Sequence, residues 1–178
     1  MSHKRQGFTL VELLIVIVVI GILGGMFMLA GGQAQSAAKA TKIVSGLASV
    51  KTAVLTWYRE NTDKIDNNGK INGTDPSSYF KAEKLSKYLN AGKDFAMGSS
   101  EGNYEVVCEK NNKNNYAWYA CYHLESKADK SDIIARLADK AMAQSGDLWQ
   151  NNGSWKNYST DATSGNDDIY MEILIFNY

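Results

Sequence analysis

The sequence predicts an α+β fold in which a long N-terminal helix packs on a small antiparallel β-sheet domain with extra short helices. The first observation is a run of twenty residues without a charged side chain, at 13–32. The second is a stripe of apolar residues at three- and four-residue steps, which extends the helix from Phe8 to near Asn61. The third is a set of runs rich in aromatic and β-branched residues, typical of strands, at 104–109, 116–124 and 169–176.

Composition restricts the class of protein. The chain has 178 residues, enough for one domain and one further element. Its 19 basic and 19 acidic side chains give a formal charge of zero, without the basic excess of a nucleic-acid-binding protein. We therefore expect no nucleic-acid partner. The single proline, Pro76, leaves no proline-rich linker between domains.

The uncharged run has the length of a membrane span. Twenty helical residues extend about 30 Å, the thickness of a bilayer core. A soluble helix is rarely apolar on all faces over such a length. His3, Lys4 and Arg5 lie on its N-terminal side, and positive residues favour the cytoplasmic side of a membrane. We expect a cytoplasmic N-terminus and an extracytoplasmic domain.

Two ordinary interpretations of this segment leave Glu12 without a role. A secretory signal peptide has an apolar region of about 7–15 residues followed by a cleavage site with small residues. A plain single-pass anchor needs only apolar length. An acidic residue near the apolar boundary is by default a functional candidate.

The stretch from Lys4 to Ile17, KRQGFTLVELLIVI, resembles the prepilin cleavage and methylation motif of type IV pilins and type II secretion pseudopilins. The similarity extends to about Leu23. It implies that a membrane-bound prepilin peptidase cuts after Gly7 and methylates the new terminal amine of Phe8. It also implies that Glu12 pairs with the terminal amine of a neighbouring subunit. Many members carry a proline where this chain has Leu29, which leaves the filament geometry open.

The resemblance also implies an organisation and a set of partners. Residues 1–7 would be the leader peptide, 8–32 the transmembrane and filament-core helix, and 33–178 the extracytoplasmic domain, in which 33–61 is the amphipathic half of the helix. The partners would be further copies in a filament, other pilins or pseudopilins, the peptidase, the assembly platform and the membrane. The protein would lie in the bacterial inner membrane and then in a surface pilus or a periplasmic pseudopilus.

Residue chemistry agrees with a role for Glu12 in assembly. Cleavage before Phe8 would free an amine four residues from Glu12, where the two can pair within one helix or between two subunits. A carboxylate in an apolar bundle needs a partner. A buried pair of this kind would fix the axial register between subunits.

The two cysteines lie in a predicted hairpin. With a two-residue turn at Asn114–Asn115, Cys108 would lie directly opposite Cys121, close enough for a disulfide. Pilins often carry one disulfide in this half of the chain, so the resemblance also favours the bond. A different turn length breaks the alignment, and two buried thiols are the alternative. No further soft ligand has zinc-finger spacing, so we expect no structural zinc site.

Two acidic loops invite comparison with calcium sites. In the loop 61–78, we can align Gly69 with the glycine at the sixth position of an EF-hand calcium loop. This alignment puts Lys64 at the first position, where the loop needs an oxygen ligand for calcium. A later loop carries Asp161, Asp167 and Asp168, loosely similar to the calcium loop of major pseudopilins. Solvated turns are the preferred interpretation of both, and no cofactor is expected.

The remaining elements are two helices and a loop. Ser77 or Ser78 would cap a helix at 79–89, and Ser131 one that ends before Gly146. Trp149 and Trp155 fall in an Asn/Gly-rich loop, where we expect packed anchors rather than a surface for adhesion.

No catalytic set emerges. The histidines are His3, in the leader, and His123, in the hairpin, and no phosphate loop or nucleophile elbow is present. The sequence thus predicts a structural pilus subunit. A secretion pseudopilin, and a membrane-anchored binding module that never polymerises, are the alternatives.

Overall fold

A computed structural model of the chain describes residues 8–89, 96–126, 130–143, 148–151, 155–157 and 168–176. These residues form a long helix that packs on one face of a five-stranded antiparallel sheet, with shorter helices beside it. The predicted α+β architecture is confirmed.

The N-terminal helix, α1, spans Leu10–Glu60, a length of 51 residues. It begins after Thr9, whose side chain accepts a hydrogen bond from the first turn. It ends at Asn61, whose backbone N–H donates to the carbonyl of Tyr58 and whose side-chain amide donates to that of Trp57, at 2.8 Å. These bonds satisfy carbonyls that have no partner at a helix end. The predicted end near Asn61 is confirmed, and the helix begins at Leu10, two residues after the predicted start at Phe8.

The second half of α1 buries one face. The buried apolar residues recur at three- and four-residue steps, as predicted. They lie against the sheet and against a helix at residues 130–143. Burial of each large side chain contributes about 1.5–3 kcal/mol. The buried residues of this face include Ala40, Ile43, Val44, Leu47, Val50, Ala53, Val54 and Trp57.

The segment after α1 differs from the prediction. A 3-10 turn, Thr62–Lys64, leads to two single-turn helices, α2 (Pro76–Tyr79) and α3 (Ala82–Leu85), in place of one helix over 79–89. Pro76 occupies the first helical position, which its fixed φ favours, so α2 starts after Asp75 rather than after a serine. The backbone then leaves the helical region at Phe80.

The sheet contains strands β1 (Tyr104–Lys110), β2 (Tyr116–Tyr122), β3 (Leu148–Asn151), β4 (Trp155–Asn157) and β5 (Ile169–Ile175). Their spatial order is β1-β2-β5-β3-β4, so the predicted C-terminal strand is central. A helix, α4 (Lys130–Ala143), connects β2 to the β3–β4 hairpin and packs against α1. Trp149 and Trp155, predicted to lie in a loop, therefore belong to strands.

Each face of the sheet has its own aromatic cluster. On the inner face, Trp118 is fully buried, lies among the rings of Trp57 and Phe80, and donates from Nε1 to the carbonyl of Gly69 at 2.7 Å. On the outer face, Trp155 stacks on Tyr119 with ring centroids 3.9 Å apart. Trp155 is thus a packed anchor, as expected.

The β1–β2 hairpin is confirmed, but its predicted register is wrong. Five residues, 111–115, connect the strands instead of two, because the Asn111 side chain accepts hydrogen bonds from the backbone N–H groups of Lys113 and Asn115. Cys108 consequently pairs with Trp118, and Cys121 with Glu105.

The predicted disulfide does not form in this arrangement. Cys108 points to the inner face with Trp118, and Cys121 to the outer face with Tyr119, because side chains alternate along a strand. Both cysteines are free thiols.

Candidate functional site

The first turn of α1 holds the predicted assembly residue, Glu12, in a capping box with Thr9. The backbone N–H and the Oγ1 hydroxyl of Thr9 both donate to Oε2 of Glu12, each at 2.9 Å. In return, Oγ1 of Thr9 accepts from the backbone N–H of Glu12 at 3.3 Å. This reciprocal arrangement satisfies two amide donors that the helix leaves unpaired. Glu12 therefore has a local structural partner in the single chain.

The first half of α1 exposes apolar side chains all round. Among the described residues, the segment Leu10–Phe27 of α1 is long and apolar enough to cross a membrane, with a mean hydropathy of 2.8. None of its residues is buried by the rest of the chain. Such a surface cannot stay in water without a partner, either lipid or protein. The exposed side chains include Phe8, Leu10, Val11, Leu13, Leu14, Ile15, Ile17, Ile20, Ile22, Met26 and Phe27.

The glycines of this half do not interrupt the helix. α1 is continuous through Gly24 and Gly25. A β-carbon placed at either position would meet no atom within 4 Å. These positions are open surface in the single chain, where another helix could approach closely.

Of the two predicted processing residues, the structure describes Phe8. Phe8 lies just before the cap, with 87% of its side chain exposed. Gly7 lies outside the described residues. Phe8, the predicted methylation position, therefore lies just before the exposed apolar helix, and Glu12 lies in the first turn of that helix.

A second polar cluster lies on the outer face of the sheet, where β2 ends and β5 begins. Nδ1 of His123 is 2.9 Å from Oδ2 of Asp168, and Nε2 is 3.0 Å from Oε2 of Glu105. Oδ1 of Asp168 also accepts from the backbone N–H of Leu124, at 3.3 Å. Sγ of Cys121 lies 4.0 Å from Nδ1 of His123.

The cluster sets the ionisation of its members. The hydrogen bond from His123 to Asp168 is the largest cause that raises the pKa of His123, and the Glu105 carboxylate adds to it. Burial raises the pKa of the Cys121 thiol well above its usual value. The contacts with the two carboxylates thus shift His123 towards its charged form, and burial shifts Cys121 towards its neutral form.

This cluster bears on the calcium candidates. Asp168 lies beside a ring nitrogen of His123 and the sulfur of Cys121, which are not calcium ligands, because calcium takes oxygen ligands. Asp161 and Asp167 lie outside the described residues. Asp168 is predicted from the sequence only together with those two acids, and its contact with His123 and Cys121 is not predicted. The sequence offers one indication of this cluster. Cys121 and His123 are two residues apart, which puts both side chains on one face of a strand.

A cavity of about 310 Å³ opens beside the β1–β2 loop, at the other end of the outer face. Asn112 fixes its wall, since its Oδ1 accepts from the backbone N–H of Trp155 and its Nδ2 donates to the Trp155 carbonyl. Trp149, half-buried, lines the opening.

Comparisons with known proteins concern the N-terminal segment. The family model for the prokaryotic N-terminal methylation motif matches residues 2–28. Fimbrial protein Q of Moraxella bovis is 44% identical over 52 residues, which are 29% of this chain and 33% of that protein. The chain thus spans about a third of the length of this curated relative. No solved structure matches the chain significantly.

The match covers the residues before the cap, the cap itself and the exposed apolar half of α1, and the rest of α1 continues into an α+β domain. By this motif, this relative and this architecture, the chain is type IV pilin-like.

Proposed function

We propose that this chain is a structural subunit of a type IV pilus or a related filament, inserted in the inner membrane and polymerised through its N-terminal helix. The observation that carries the proposal is the methylation motif at residues 2–28, which coincides with a helix whose apolar surface is fully exposed. The relative named as a fimbrial protein supports it. A structural role needs no catalytic residues.

The charges at the N-terminus set the orientation of the inserted chain. Lys4 and Arg5 precede the apolar helix, and positive residues are retained on the cytoplasmic side. The α+β domain, which follows the helix, is then extracytoplasmic. The helix holds the subunit in the bilayer until assembly.

Processing prepares the N-terminus for assembly. A prepilin peptidase cuts after Gly7, removes the charges of Lys4 and Arg5, and methylates the amine of Phe8. The exposed position of Phe8, just before the helix, is compatible with entry of this bond into a peptidase. The product is a helix with a single positive charge at its end.

Assembly exchanges lipid contacts of α1 for contacts with other copies. Within a bundle of such helices, the carboxylate of Glu12 needs a counter-charge. The hydrogen bonds from Thr9 both use Oε2, and a carboxylate can accept about four hydrogen bonds. The methylated amine of Phe8 on a neighbouring subunit supplies both a donor and the opposite charge, and so fixes the register.

One observation favours a second candidate, a membrane-anchored extracytoplasmic module that does not polymerise. The capping box gives Glu12 a structural purpose within its own helix. In that case the carboxylate stabilises the start of α1 and has no partner on another subunit. A secretion pseudopilin is a further variant of the filament proposal, with the same assembly chemistry.

Mass spectrometry of the protein purified from its native host tests the processing step. We expect a mature chain that begins at Phe8 and carries one additional methyl group on its amine. A chain that retains Met1 and the basic leader, or that is cut near Ala30, would contradict the proposal. Expression in a host without the peptidase, where the leader should be kept, is the matched control.

A further inference from the structure

Three metal-ligating side chains meet on the outer face of the sheet. Cys121 lies in β2 and His123 directly follows this strand, so the two side chains point to the same face. Asp168 directly precedes β5, which pairs with β2. One ligand atom from each residue, Sγ, a ring nitrogen and a carboxylate oxygen, lies within 4.8 Å of the other two.

These separations are close to those around a bound zinc ion. At bond lengths of about 2.0–2.3 Å, the ligand atoms of a tetrahedral zinc site lie roughly 3.3–3.8 Å apart. The Nδ1–Oδ2 separation is 2.9 Å and the Sγ–Nδ1 separation is 4.0 Å. Side-chain movements of roughly 1 Å or less convert one arrangement into the other.

Glu105 orients the imidazole for this purpose. Its Oε2 lies 3.0 Å from Nε2 of His123, on the side of the ring away from Cys121 and Asp168. A metal-bound histidine nearly always donates its second N–H to a carboxylate or carbonyl, which fixes the ring and raises its basicity. Glu105 is also the cross-strand neighbour of Cys121, so the same pairing positions two members of the cluster.

Burial and access also fit an ion. Cys121 is fully buried, while the side chains of Glu105, His123 and Asp168 retain 15–19% exposure. Three of the four side chains therefore remain partly open to solvent, from which an ion and a water molecule can reach them. Cys121 does not form a disulfide with Cys108, because Cys108 lies on the other face of the sheet.

We propose that Cys121, His123 and Asp168 bind one Zn²⁺ ion, with a water molecule as the fourth ligand. The ion takes the place of the proton on Nδ1 and of the thiol proton, and both protons leave to solvent. The mixed sulfur, nitrogen and oxygen donors suit zinc, whereas calcium takes oxygen ligands only. The bound ion joins β2 to β5, with Glu105 of β1 behind it, and so holds three strands together without a disulfide.

Cobalt substitution in the full-length Cys108→Ser variant tests the site. In this variant Cys121 is the sole thiol of the chain, so thiolate-to-cobalt charge-transfer absorption reports on Cys121 alone. The protein is stripped with a chelator in detergent micelles and titrated with Co²⁺. We expect a charge-transfer band that saturates at one equivalent, visible bands typical of tetrahedral cobalt, and displacement of both by Zn²⁺. Wild type should give the same spectra.

Substitutions assign the other ligands. Asp168→Asn and Glu105→Gln conserve shape, and we expect each to weaken Zn²⁺ binding about 10- to 100-fold. Cys121→Ser should abolish the charge-transfer band. If that variant does not fold, as judged by circular dichroism, the Cys108→Ser result decides alone. Absence of the band in Cys108→Ser, or Zn²⁺ binding by Asp168→Asn and Glu105→Gln equal to wild type, would overturn the proposal in favour of an imidazolium held by two carboxylates.

Discussion

Cys108 and Cys121 lie on adjacent strands but on opposite faces of the sheet. Cys108 pairs with Trp118 in the antiparallel register, and Cys121 pairs with Glu105. A shift of register by an odd number of residues moves a side chain to the other face of the sheet. The length of one loop, 111–115, therefore decides whether the two sulfur atoms can meet.

We expect neither cysteine to be in a disulfide in the purified protein. A thiol assay on the denatured, unreduced chain should give two thiols per molecule. The free energy of unfolding should be the same with and without reductant, because there is no disulfide to reduce. If a disulfide were present, its loss would typically cost about 2–5 kcal/mol. A thiol count of zero, together with destabilisation by reductant, would contradict the register.

The reactivity of Cys108 should depend strongly on pH. Burial raises its pKa from 9.0 to about 11, and the thiolate is the form that reacts. At pH 8 we expect iodoacetamide to modify Cys108 roughly 100-fold more slowly than an exposed model thiol. The rate should rise about tenfold per pH unit up to the raised pKa.

The same shift has a consequence for stability. Because the folded pKa lies above the unfolded value, this contribution to stability is complete below about pH 9 and is lost as the pH rises towards 11. The Cys108→Ser variant is the control, since it should lack both the slow modification and this part of the alkaline destabilisation. Rapid modification of folded wild type at pH 8, assigned to Cys108 by peptide mapping, would contradict the burial.

Gly46 is required for contact between α1 and β1. A β-carbon at this position would collide with the phenol ring of Tyr104, whose hydroxyl donates to the carbonyl of Lys42 at 3.3 Å. We expect Gly46→Ala to destabilise the domain by about 1–3 kcal/mol, as overpacking usually does. Denaturant unfolding followed by tryptophan fluorescence measures the change.

Gly24→Ala is the matched control for Gly46→Ala. It lies in the same helix, and its β-carbon would meet no atom within 4 Å. Since alanine favours a helix by about 1 kcal/mol over glycine, we expect the unfolding free energy to stay equal or rise. Equal effects of the two substitutions would show that helix propensity, and not contact with Tyr104, determines the outcome.

The long helix could be predicted because its signals are local. The absence of charge over 13–32 and the apolar stripe after it are both readable within a few turns. The cap at Thr9 was not predicted. The strand 169–176 was equally clear from its composition, though its central place was not, because pairing with β2 and β3 depends on distant residues.

The hairpin turn and the polar cluster could not be predicted, for two reasons. The asparagine-rich segment admits several turns, and the bonds accepted by the Asn111 side chain select the longer one. Asn114 adopts a positive φ, but within that longer loop. The meeting of His123 with Asp168 requires the pairing of β2 with β5, which joins residues 45 apart in sequence.

Prediction of the short strands β3 and β4 also failed, since each has four residues or fewer and the surrounding composition favours loops. Their position depends on the stacking of Trp155 on Tyr119 and on the hydrogen bond from Nε1 of Trp155 to the carbonyl of Lys110. Both contacts are long-range.

Glu12 has two candidate partners, Thr9 of its own helix and an amine of a neighbouring subunit, and two variants separate them. Glu12→Gln keeps an acceptor for the capping box but removes the charge. Thr9→Ala removes the hydroxyl of the cap but keeps the carboxylate. If the charge of Glu12 serves assembly, only the first variant should fail to polymerise.

The most direct measurement is the yield of surface filaments, by electron microscopy and by shearing, from cells that carry either variant as the sole copy. Membrane levels of the processed subunit are quantified in parallel, so that loss of protein is not mistaken for loss of assembly. We predict that Glu12→Gln gives processed subunits and no filaments, while Thr9→Ala gives filaments near the wild-type level. Wild-type filament yield from Glu12→Gln would contradict the proposal that this carboxylate pairs with the amine of a neighbouring subunit.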